Sequence, residues 1–145
     1  METRLNFYKA SPNAIKAMLG LEEHIAKSGI EKPLADLVRL RASQINGCAF
    51  CVDMHSADAR KAGEDERRLA TVTVWRETPF FSERERAALE WTESLTNVAQ
   101  SHVPDDVWER VQPHFTPEEI VDLTLLVGAI NSWNRLAIAF RKLPV

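Results

Sequence analysis

Two capping boxes in the second half of the chain each dictate a helix. Ser82-Glu83-Arg84-Glu85 and Thr116-Pro117-Glu118-Glu119 both carry a hydroxyl at the N-cap and a glutamate three residues on. In that arrangement each side chain satisfies an orphan backbone N–H at the helix start. Phe115 and Ile120 add the hydrophobic staple of the second box. The first helix is expected to run to about Val98. The second is apolar around most of its circumference, which implies burial in a core or between subunits.

The rest of the chain is punctuated in the same way. Ser11-Pro12 opens a helix that ends near Ser28-Gly29, with Ile15, Met18, Leu19, Leu21 and Ile25 at helical spacing. Pro33 opens another, whose Leu34, Leu37, Val38, Leu40 and Ile45 fit a 3.6 period until Asn46-Gly47 stops it. A third runs from about Cys48 to Ala62 and is closed by Gly63, with Arg60 and Lys61 suiting the dipole of its last turn. Residues 64–75 form a weaker helix, broken at Thr78-Pro79, and Pro104 starts a short one that stops before Pro113. No segment sustains period-2 alternation; Val72 and Val74 are the only strand-like patch. The expectation is an all-α fold, a compact multi-helix bundle, with one domain over residues 1–145.

Composition narrows the class. The 145 residues are 45% hydrophobic and 27% charged, with a formal net charge of −3. A mildly acidic chain has no global electrostatic reason to bind nucleic acid or an anionic membrane. The longest apolar tract, residues 123–140, is interrupted by Asn131, Ser132, Asn134 and Arg135, so no membrane span is expected. The N-terminal residues have neither an apolar region nor a small-residue cleavage site. A cytoplasmic protein is expected. There, two cysteines three residues apart suggest redox or metal chemistry more than a structural staple.

That pair sits in Ser43-Gln44-Ile45-Asn46-Gly47-Cys48-Ala49-Phe50-Cys51-Val52-Asp53-Met54-His55. On a helix beginning at Cys48, Cys51 follows after one turn and His55 after another, all on one face that continues through Val52, Ala59 and Ala62. Unpaired N–H groups and the dipole at a helix start favour thiolate, and C-x-x-C contexts lower a thiol pKa from ~8.5 into the ~3.5–7.5 range. Thiolate is the form that attacks a peroxide or a disulfide. A histidine one turn away can accept or relay the proton. A second cysteine within a turn can condense with a sulfenic acid to a disulfide, which an external dithiol reopens. Zinc is a competing use of Cys48, Cys51 and His55, although no second ligand pair closes a structural site.

The run Leu37-Val38-Arg39-Leu40-Arg41-Ala42 and the cysteine segment that follows it resemble the core of the alkylhydroperoxidase D-like proteins, within the carboxymuconolactone decarboxylase superfamily. The resemblance is strongest over residues 34–64. It extends through residues 75–82 to Ala129-Ile130-Asn131-Ser132-Trp133-Asn134-Arg135-Leu136. It implies an AhpD-like homo-oligomer, a trimer or hexamer, with a thiol peroxidase site. Carried over by position, Cys51 would attack the hydroperoxide, Cys48 would resolve it and His55 would relay the proton. His55 lies one turn from Cys51 and about two from Cys48, which fits that order rather than a thioredoxin-style nucleophile at Cys48. The family's glutamate twelve residues before the first cysteine is Asp36 here, a carboxylate one methylene shorter. The histidine that founding members carry between their cysteines is Phe50.

The function expected is a thiol-dependent hydroperoxide reductase without a bound cofactor, using Cys51, Cys48, His55 and Asp36. Its partners would be a hydroperoxide and a dithiol or disulfide-reductase donor. A lactone-decarboxylating lyase and a non-enzymatic redox-sensing bundle are the alternatives. The remaining features read as structural. His24, His102 and His114 are expected at the solvated surface, and the four tryptophans in core or interface. The charge runs at 64–68 and 83–86 read as solvated helix faces. Arg135 needs a partner, from Asp122 or a neighbouring subunit.

Overall fold

A computed structural model describes residues 1–145. It is all-helical, in the order α1 (Phe7–Ala10), α2 (Pro12–Ala26), α3 (Lys32–Asn46), α4 (Ala49–Lys61), α5 (Glu66–Thr71), α6 (Glu83–Thr96), α7 (Val98–Ser101), α8 (Asp105–Val111) and α9 (Pro117–Phe140). Short 3₁₀ segments, Val72–Glu77 and Gln112–His114, follow α5 and α8. Both capping boxes form with their reciprocal bonds. Phe115 and Ile120 are both buried, as a staple requires.

Helix α3 is the axle of the bundle. Leu34, Ala35, Leu37, Val38, Leu40 and Ala42 are buried around nearly its whole circumference, and it packs against α4, α6 and α9. One side contributes Leu34 and Val38 to a core shared with Ile25, Ala88, Leu123 and Leu126. The other contributes Leu37 and Leu40 to a second core with Val72, Trp75 and Leu89.

A buried polar network fixes the end of α3 against α9. Asn134, fully buried, donates to the Ser43 hydroxyl at 3.0 Å and accepts from Asn46 Nδ2 at 2.8 Å. Asn46 Nδ2 also reaches Asn131 Oδ1 at 3.0 Å. The amide of Asn131 donates on to Thr96 Oγ1 and the Val127 carbonyl. Helix α3 then stops in a Schellman motif. The Gly47 N–H bonds the Gln44 carbonyl, the Cys48 N–H bonds the Ser43 carbonyl, and Gly47 takes φ +68°.

Several expectations change. Residues 64–75 are not one helix: α5 gives way to the 3₁₀ segment, which kinks at Val74, and the Val72 and Val74 patch lies in that segment rather than in a strand. Helix α6 ends at Thr96, two residues short of the expected stop. Ala62 caps α4 and is exposed instead of lying on the inward face. Helix α9 is long and apolar enough to cross a membrane by length and composition, but it packs against α2, α3 and α6. The charge runs are solvated faces only in part: Asp65, Glu66, Arg67 and Glu83 are exposed, whereas their neighbours are half-buried in cross-links. Arg68 holds Glu64 at 2.7 Å and Glu85 at 2.5 Å; Arg84 bridges Glu31, Glu119 and the His114 carbonyl; Arg86 donates to the Trp75 and Thr78 carbonyls. They cross-link elements far apart in sequence, which helical spacing alone does not reveal. Asp122 is not the partner of Arg135: it pairs with His24 at 2.8 Å, while Arg135 donates to Asn131.

Asn134→Leu should cost about 2–4 kcal/mol in urea denaturation, because it strands the buried Ser43 hydroxyl and takes from Asn46 Nδ2 one of its two acceptors. Ser132→Ala, one turn-face away and exposed, should cost less than about 0.5 kcal/mol.

Candidate active site

Cys48 serves two helices at once. Its N–H closes the Schellman motif of α3. Its Sγ accepts the Cys51 N–H at 3.3 Å as the N-cap of α4. The two cysteines are joined by a disulfide with Cα atoms 5.3 Å apart, so this is the oxidised form of the pair. They pack against Ala137 of α9, whose single methyl leaves room for the sulfurs.

Both cysteines are buried, at 1% exposure for Cys48 and 2% for Cys51, but they differ in what they adjoin. Cys51 lines a cavity of about 380 Å³, a volume suited to a small organic molecule, and Cys48 is not in its wall. His55 and Asp36 line the same cavity. Three of the four expected site residues therefore share one space, and Cys48 is outside it.

His55 projects from α4 one turn beyond Cys51 and makes no side-chain hydrogen bond within the chain. Burial pushes its imidazole down to about 4, and the positive charge of Arg39 adds to that against the carboxylates of Asp58, Asp36 and Glu22. It is thus neutral at pH 7. A neutral imidazole in the same cavity as a cysteine has a free nitrogen lone pair for its proton, though burial also weakens it as a base.

Asp36 is buried, with Lys32 Nζ at 2.5 Å and Arg39 Nη1 at 3.5 Å. Arg39 also holds Glu22 at 2.9 Å, and Glu22 accepts the Trp133 indole N–H at 3.1 Å. All five line the cavity. Reading the sequence missed this chain of charges as a unit. The spacing of Lys32, Asp36 and Arg39 on one helix was a signal for part of it. Nothing local pointed to Glu22 or Trp133, which lie 111 residues apart. Trp133 is consequently a cavity wall, not a core aromatic. Trp108 is 41% exposed and leans on buried Trp91. Of the histidines, His102 is exposed, His114 is half-buried and His24 is held by Asp122. No three His, Cys, Asp or Glu side chains converge as a metal-ligand group.

The model of the carboxymuconolactone decarboxylase family matches residues 12–94. The uncharacterized protein YdfG of Bacillus subtilis is 43% identical over 139 residues, covering 96% of this chain and 95% of that one. The uncharacterized protein YnjA of Escherichia coli is 36% identical over 106 residues, 72% of this chain and 57% of that one. A crystal structure from Agrobacterium tumefaciens superposes with a TM-score of 0.95 at 47% identity over 99% of both chains. That protein is described as of unknown function and assigned provisionally to antioxidant defence as AhpD. The debrominase Bmp8 shares the fold at 18% identity, with a TM-score of 0.81 over 94% of this chain and 74% of that one.

The depressed His55 value has a consequence for stability. The unfolded imidazole, at about 6.5, takes its proton before the folded one does as pH falls. This contribution is therefore complete above pH ~6.5 and is lost as pH falls toward about 4, by at most ~3 kcal/mol. The carboxyls of Glu31, Glu85, Glu93 and Glu119 lie below their ordinary 4.5 and lose stability only in a more acid window. Urea midpoints measured from pH 7 to pH 4.5 should fall in the wild type and stay nearly flat in His55→Gln.

Proposed function

The chain belongs to the carboxymuconolactone decarboxylase family and is an AhpD-like member of it, and we propose that it is a thiol-dependent hydroperoxide reductase. The observation that carries this reading is the asymmetry of the pair: Cys51, not Cys48, opens onto a cavity shared with a neutral histidine. In the reduced protein His55 takes the Cys51 proton. The thiolate attacks the terminal oxygen of ROOH, the O–O bond breaks, and RO⁻ leaves as ROH with a proton from the imidazolium. Cys51 is then a sulfenic acid. The Cys48 thiol attacks it, water leaves, and the disulfide present in the structure results. An external dithiol returns two electrons by exchange.

Asp36 is a positioning residue in this scheme. It pairs with Arg39, whose charge helps to keep His55 neutral, while its own carboxylate acts on His55 in the opposite direction. Homo-oligomerisation is part of the same proposal. It is supported by an exposed stripe on α9, where Val121 is 59% and Leu125 40% accessible, more apolar surface than a lone core helix needs to show.

One equivalent of an organic hydroperoxide should remove two hydrogen masses from the reduced protein, and Cys51→Ser should abolish that loss. Thiols that persist in excess peroxide would overturn the reading. Asp36→Asn should slow sulfur oxidation about tenfold or more. Its stability loss in urea should stay within about 1–2 kcal/mol, and equal oxidation rates would remove Asp36 from the site.

A further inference from the structure

Residues that carry the proposed chemistry, Asp36, Cys48, Cys51 and His55, all fall inside the segment matched by the family model, residues 12–94. Much of the wall facing them does not. Phe7 and Tyr8 come from the N-terminal helix α1, and Ile130 and Trp133 from α9. Helix α1 is held in place from the far end of the chain. Arg4 donates its N–H to the Phe140 carbonyl at 3.0 Å and its guanidinium to the Ala139 carbonyl at 3.1 Å. Phe7 stacks on Tyr8 with ring centres 4.5 Å apart and meets Phe140 at 5.9 Å. The Lys142 ammonium sits 4.5 Å above the Tyr8 ring and 4.5 Å above that of Phe50, the residue between the cysteines. The wall is thus an aromatic panel clasped by both termini.

The charges of the cavity select further. Lys32 is paired with Asp36, and Arg39 with Glu22 and Asp36. Asp58 adds a third carboxylate, and His55 is neutral. Three anions thus face two cations, both already taken, so a carboxylate-bearing substrate finds no free partner there. Lys142, which has no carboxylate within ion-pair distance, lines a second cavity and not this one. Phe7, Tyr8 and Phe50 line both, and so stand between it and the Cys51 space.

We infer that Phe7 and Tyr8 are specificity-determining residues that select a neutral hydroperoxide with an apolar body over hydrogen peroxide and over carboxylate-bearing hydroperoxides. This rests on the peroxidase reading and names its substrate class. An apolar body fills the space between the aromatic panel, Leu19 and Trp133, and its burial holds the peroxide oxygen near Cys51. Hydrogen peroxide gains nothing from that panel.

The test is the second-order rate of two-hydrogen loss from the reduced full-length protein, followed by quenched intact mass. The oxidants are cumene hydroperoxide, hydrogen peroxide, linoleic acid hydroperoxide and its methyl ester. The wild type should favour cumene hydroperoxide over hydrogen peroxide, and the ester over the acid. In Tyr8→Ala the ratio of the cumene to the hydrogen peroxide rate should fall about tenfold. Phe7→Leu, which keeps an apolar group in a buried position, should lower the same ratio in the same direction. A ratio unchanged in both variants overturns the inference, as does a wild type that does not favour cumene hydroperoxide over hydrogen peroxide or the ester over the acid, while the peroxidase reading stands. A wild type that reacts with no oxidant overturns that reading instead.

Discussion

The buried amide network between α3 and α9 is the constraint on which the site depends. Asn134 and Asn46 tie the last turn of α3 to α9, and Ser43 and Asn131 complete the bonds on either side. A polar network inside a protein stabilises only when its members are satisfied, and none of its side chains is left without a partner. It fixes one register between the helices where hydrophobic packing would tolerate several. The Schellman turn then follows with no slack, Cys48 caps the next helix, and Cys51 emerges at the cavity. The serine, asparagine and glycine that precede the cysteines are in this sense the mounting of the redox pair.

Electrostatics around the cavity follow from that mounting. Lys32, Asp36, Arg39 and Glu22 neutralise one another along a chain of ion pairs that ends on the Trp133 indole. At His55, burial first and the Arg39 charge second favour the neutral form and outweigh the opposing carboxylates of Asp58, Asp36 and Glu22. The wall is therefore charged in composition but nearly balanced in effect, with a single base beside the cysteine. Elsewhere Glu93 plays a similar joining role, accepting from Arg41 and the Trp75 indole. Its burial raises the carboxyl, and the bonds from Arg76, Trp75 and Arg41 outweigh that and lower it.

Much of this was legible in the residues. The starts of α6 and α9 are written in local capping chemistry, and the structure forms each bond that the pattern requires. Asn46-Gly47 announces the stop of α3, since only a left-handed residue completes it. The cysteine-histidine spacing places Cys51 and His55 on one helix, and both meet the cavity. What stayed hidden depends on pairing across the chain. Arg68 with Glu85, Arg84 with Glu31 and Glu22 with Trp133 are long-range choices that look, residue by residue, like ordinary surface charge and core aromatic. Residues 64–75 carry helical spacing too weak to resist the 3₁₀ turn that buries Val72 and Trp75. Helix α1 is a single turn with no periodicity to read, yet it walls the site.

The central claim is that the fold presents Cys51 and withholds Cys48. The most direct measurement is timed alkylation of the fully reduced, native protein with iodoacetamide across pH 5–9, with each site assigned by peptide mass. The account predicts that Cys51 is modified first and that its rate follows a thiol pKa below the ordinary ~8.5, with Cys48 modified only on unfolding. Labelling of Cys48 first, or of both cysteines at one rate, would contradict it.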